Sequence, residues 1–104
     1  MSAARLMFAI SVLAVTLVAA PVSFNRDIRP IMSDTCFRCH GPDKSSRMAN
    51  LRLDLREEAT KPLRNGRTPI VPGDADRSEI VTRIFATGGR TMPPEFAHKT
   101  LTEA

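Results

Sequence analysis

The chain contains no tryptophan and no tyrosine, and only five phenylalanines in 104 residues. One of these, Phe8, falls in an apolar N-terminal run, so four remain for everything that follows. Small domains already struggle to bury enough apolar surface, and a shortage of large rings sharpens the problem. A core made from this chain alone therefore falls short, and the composition implies a domain built around an added apolar group. The missing aromatics also remove the stacking platforms that a single-stranded nucleic-acid binder needs. With only two cysteines, three positions apart, the chain lacks a disulfide framework.

Charge is absent from Leu6 to Val18, after a short start that carries one basic residue, Arg5. Val18-Ala19-Ala20 then offers the small residues that signal peptidase accepts. The run is too short for a comfortable membrane span, and the pattern predicts a secretory signal over 1–20. Pro21 shifts the expected cut by a residue or leaves the segment as a loose N-terminal anchor, the one membrane connection expected here. No cysteine lies near residue 20, which excludes a lipoprotein anchor. The reading is an exported protein, periplasmic or at the cell surface, with one small domain over 21–104.

The net charge of +4 invites comparison with nucleic-acid binders. Without Arg5, 14 basic side chains face 11 acidic ones, scattered singly and without interleaved aromatics. That is a solvated mixed-charge surface, and no nucleic-acid partner is expected.

The two cysteines fall in Cys36-Phe37-Arg38-Cys39-His40. Two thiols separated by two residues on a helical turn can add to the two vinyl groups of haem. The histidine that follows can then bind iron as proximal ligand. Gly41 lets the backbone leave without a side chain striking the porphyrin. Three other readings use the same residues. A thioredoxin-like dithiol needs a βαβ context that the sequence lacks. A zinc site finds only His98 as a further strong donor. A Cys36–Cys39 disulfide would be strained and would close too short a loop to stabilise much. One covalent haem c, held by Cys36 and Cys39 with iron on His40, is the expected cofactor.

Along the chain, Phe24, Ile28, Ile31 and Met32 form a helical stripe, with Ser23 or Asn25 available as a cap and Pro30 marking a start or kink. Leu51-Arg52-Leu53-Asp54-Leu55 alternates and should lay leucines against the ring. Asp54 with Glu57, and Asp76 with Glu79, have capping-box spacing. The second pair should open a helix with the apolar face Ile80, Val81, Ile84 and Phe85, ending at Gly88-Gly89. Leu101-Thr102-Glu103-Ala104 reads as the opening of another helix. There is no internal repeat and no low-complexity segment.

Electron-transfer haems commonly carry a second axial ligand, Met or His. Met92 leads, on a segment made approachable by Gly88 and Gly89 and stiffened by Pro93 and Pro94. Met48 lies too close to the motif, and Met32 lies on the leading helix. His98 competes, an open or water-bound iron is the other outcome, and Met92 as a mere packing residue is the bland reading.

These residues resemble the planctomycete-type cytochrome c domain. The resemblance rests on Phe24-Asn-Arg-Asp-Ile-Arg-Pro-Ile, Cys-x-x-Cys-His-Gly-Pro-Asp, and Leu51-Arg-Leu-Asp-Leu-Arg. It continues through Ile70-Val-Pro-Gly-Asp-Ala-Asp-Arg-Ser and Met92-Pro-Pro, covering most of 23–104. It implies an all-α, class I-like shell of short helices and loops around one covalent haem. Cys36 and Cys39 match the thioether positions, His40 the proximal ligand and Met92 the distal one. It implies an electron carrier rather than an enzyme, with an unidentified redox protein as partner. Peroxide or diatomic-gas chemistry at an open iron is the alternative, as is a remnant that never acquires haem. Similar proteins continue into a further helix that packs across the first, so a shell lacking its final helix is expected here.

Overall fold

The computed structural model describes residues 12–103. Residues 1–11, the larger part of the expected secretory segment, lie outside that range. From Val12 to Ala20 there is no regular structure, and the side chains are exposed. Among the described residues no helix is long and apolar enough to cross a membrane.

The described fold is all-α, with short helices and no strand. A wide π-type turn over Phe24–Ile28 leads into α1, Arg29–Thr35. Pro30 falls in the first turn of α1, where its missing N–H would have had no helical partner anyway. Neither Ser23 nor Asn25 caps this segment through its side chain. The Asp27 carboxylate instead reaches back and accepts the Ser23 N–H at 2.8 Å. The helical stripe is present, but only Met32 is buried, while Phe24, Ile28 and Ile31 remain exposed. Periodicity shows which side chains share a face; it does not show whether anything covers that face.

Helix α2, Arg56–Ala59, is a single turn, and α3 spans Glu79–Ile84. Neither expected capping box forms, for physical reasons that can be read directly. Asp54 is engaged by Arg52, whose guanidinium donates at 2.7 and 3.2 Å, so Leu55 takes the cap position of α2. In α3, the N–H groups of Glu79 and Ile80 donate to the carbonyls of Thr68 and Pro69, both at 3.0 Å. Backbone from the preceding loop thus satisfies donors that a cap residue would have taken. α3 stops at Ile84, earlier than the glycines imply, and Gly88–Arg90 forms a separate 3₁₀ turn. A second 3₁₀ turn covers Glu95–Ala97, and residues 101–103 are not helical.

The Ile70–Ser78 segment owes its shape to Ser78, which is 4% exposed. Its hydroxyl oxygen accepts the Val71 N–H at 2.8 Å and sits 2.8 Å from the Asp74 carbonyl, to which it donates. Gly73 takes φ +77° inside this loop, a conformation that side chains resist. The core itself is small: Met32, Leu53 and Ala59, with Cys36, Phe37, Leu51, Ile70 and Ile80 packed against it. Such a core leaves much of the apolar surface turned toward a cleft rather than toward other side chains.

Candidate functional site

The cleft has a volume of about 360 Å³ and is lined mainly by apolar side chains. That volume lies within the range of small-molecule sites. Cys36, Cys39 and His40 all line it.

Local backbone bonds explain why these three converge. The Cys36 N–H donates to the Met32 carbonyl at 2.7 Å, continuing the ladder of α1. The His40 N–H donates to the Cys36 carbonyl at 2.9 Å, which makes one further helical turn of the motif. Both cysteines are free thiols and half-buried. Gly41 is essential to the exit, but for a different reason from the expected one: a Cβ there would overlap the Phe37 carbonyl oxygen. The tight turn excludes a side chain before any bound ring is considered.

The loop after the motif is laced back onto it. The Met48 N–H donates to the Cys39 carbonyl at 2.7 Å, and the Leu53 N–H donates to the His40 carbonyl at 2.8 Å. His40 Nδ1 lies 3.1 Å from the Met48 carbonyl oxygen. A carbonyl can only accept, so this contact fixes the proton on Nδ1 and leaves Nε2 with its lone pair free. Burial pushes the imidazole below its ordinary value, with the Met48 contact opposing. A neutral ring with a free Nε2 is the form that binds a metal. The partner is a backbone carbonyl eight residues away, which no side-chain pattern could have revealed.

Leu51 and Leu53 line the cleft as the alternation implied, whereas Leu55, at the cap position of α2, is exposed and stays outside the lining. Ile80 and Ile84 line it from α3, while Phe85, expected on the same face, is 73% exposed. Past α3, Gly88 adopts φ +70° and Gly89 reaches the lining. Thr91 and Pro94 are extended, with Met92 between them in the lining.

Of the other ligand candidates, Met32 is buried in the core and does not line the cleft. Met48 does line it, yet its own carbonyl is fastened to the His40 ring. His98 is exposed, adopts φ +52° and stays outside the lining. Among the described residues, no three His, Cys, Asp or Glu side chains converge into a metal-holding group. The residues present fit a haem: paired free thiols, an oriented imidazole and a thioether share one apolar cleft.

A small strandless shell around such a cleft is the architecture of a c-type cytochrome domain. Residues 36–95 match the family described as Planctomycete cytochrome C, and the chain belongs to that family. No curated protein and no solved structure matches the chain.

Proposed function

We propose that this chain is an exported mono-haem cytochrome c domain that carries single electrons to and from a redox partner protein. Cys36 and Cys39 would hold the haem covalently, each thiol S–H adding across one vinyl double bond with no leaving group. His40, its ring held by the Met48 carbonyl, would offer Nε2 to the iron, and Met92 would offer its thioether as the second protein ligand. Haem, when bound, supplies a one-electron couple, and a Met axial ligand raises its potential. The chain's own share is to hold, orient and exclude water: Leu51, Leu53, Ile80 and Ile84 line the cleft on its apolar sides. No side chain of the cleft is needed to transform a substrate, so the domain acts as a carrier rather than an enzyme. The uncharged run Leu6–Val18 supports export, with 1–20 as the signal and 21–104 as the working domain. Export and covalent attachment belong together, because attachment in bacteria follows export.

The observation that carries this reading is the shared cleft of Cys36, Cys39, His40 and Met92 together with the 3.1 Å His40–Met48 contact. The test is an optical spectrum of the chain matured with a cytochrome c assembly system. A low-spin reduced spectrum with a methionine–iron charge-transfer band in the oxidised form is the expected result. A high-spin spectrum that shifts on adding carbon monoxide or cyanide would reject the carrier reading in favour of an open iron.

A further inference from the structure

Among the described residues lining the cleft, Arg83 is the only lysine or arginine and Glu79 the only carboxylate. A lone carboxylate is a poor companion for a ligand that itself carries two. Its surroundings resolve the conflict. Glu79 Oε1 accepts from Arg67 Nη1 and from Arg83 Nε, both at 2.9 Å, and lies 3.9 Å from Arg90 Nη2. Three guanidiniums surround one carboxylate, leaving two positive charges in excess.

We propose that Glu79 and the arginines it gathers, Arg67, Arg83 and Arg90, form the seat for the two haem propionates. The inference rests on the haem reading of the cleft. Vinyl and propionate groups occupy opposite edges of the porphyrin, so thioether attachment at Cys36 and Cys39 directs the propionates away from the motif. Within the described lining, Arg83 is the one lysine or arginine placed to meet them. Guanidinium suits the task, since its planar fork binds a carboxylate through two parallel hydrogen bonds. Arg83 spends Nε on Glu79 and Nη1 on the Arg90 carbonyl at 3.4 Å, and its Nη2 hydrogens remain for an incoming oxygen.

Glu79 then acts as a positioning residue. It draws one arginine from the loop between α2 and α3, one from its own helix and one from the 3₁₀ turn before Met92. Its side chain is 17% exposed against 30%, 47% and 57% for Arg83, Arg67 and Arg90, so the carboxylate lies innermost and the positive charge outermost. Arg83 holding Glu79 keeps the carboxyl below its ordinary value, so it stays ionised as the anchor. Two propionates would bring the charge of the group close to neutral, without burying an unpaired ion.

The test uses the matured holoprotein and reads the propionate bending bands in its low-frequency resonance Raman spectrum. Arg83→Gln should shift these bands to lower frequency and lower the midpoint potential, while Arg83→Lys should restore part of both. Arg90→Gln, at the most exposed of the three arginines, should give a smaller shift of the same sign and serves where Arg83→Gln does not fold. Arg77→Gln, whose guanidinium pairs with Asp74 rather than with Glu79, should leave the bands in place. Unshifted propionate bands in both Arg83→Gln and Arg90→Gln holoprotein would overturn the seat while leaving the haem reading intact. A wild-type chain that carries no covalent haem would overturn both.

Discussion

The N–H of Met92 donates to the carbonyl of Arg83 at 3.0 Å, tying the segment that carries the candidate distal ligand to the last turn of α3. The same Arg83 directs its guanidinium to Glu79, so one residue fixes the approach of Met92 through its backbone and holds charge through its side chain. Because the tie is a backbone bond, it survives truncation of the Met92 side chain.

Met92→Ala should therefore keep the covalent haem and the position of its segment while losing the methionine–iron charge-transfer band. His98→Ala should leave that band unchanged, since His98 lies outside the cleft lining. Near-infrared absorption of the two oxidised variants decides between them; a band that persists in Met92→Ala removes Met92 as ligand.

Gly41→Ala should destabilise the holoprotein by about 1–3 kcal/mol, the usual cost of forcing extra atoms into a packed site. The clash is with the Phe37 carbonyl, part of the backbone, which cannot swing aside as a flexible side chain would. Thermal unfolding should show it as a drop of roughly 4–8 °C per kcal/mol for a domain of this size. An unchanged midpoint would mean that the turn relaxes freely.

Ser78→Ala should cost about 1–3 kcal/mol, because it leaves the Val71 N–H and the Asp74 carbonyl without their partner. Urea unfolding should show a lower midpoint with a similar slope. Haem attachment should persist, since the loop lies outside the Cys36–His40 motif.

Glu79 gives the fold a defined acid sensitivity. Its carboxyl is held below the ordinary 4.5, first by Arg83 and then by Arg67, with burial opposing. A carboxyl with a depressed folded value stabilises the fold fully above its unfolded value, and that contribution fades as pH falls through the folded value. Wild type should lose stability from about pH 5 downward, and Glu79→Gln should show a shallower loss over the same range. Urea midpoints at stepped pH compare the two; identical slopes would show that Glu79 does not contribute.

What could be read in the sequence was what depends on spacing. The Cys36–Cys39–His40 order, the leucine alternation that brings Leu51 and Leu53 to the cleft, and the two isoleucines of α3 all followed from local pattern. Neither capping box forms, because spacing alone does not say which competitor wins. Asp54 went to Arg52, and the first N–H groups of α3 went to backbone carbonyls at 68 and 69, which freed Glu79. The Glu79–Arg83 spacing of four residues is itself an ion-pair signal, and the structure forms that pair. The Met48 carbonyl at His40 had no signal at all, since every residue carries a carbonyl. Burial was the other gap: Phe24, Ile28 and Ile31 share a helical face as periodicity implied, yet that face is exposed.

The most direct test of the central claim is the intact mass of the chain, expressed with a cytochrome c maturation system and measured under denaturing conditions. The account predicts a mass increased by one haem that resists acid–acetone extraction, is reduced to unstable single-thioether attachment in Cys36→Ser or Cys39→Ser, and is absent from the double variant. A wild-type chain that runs at its bare polypeptide mass, or releases its haem on extraction, would contradict it.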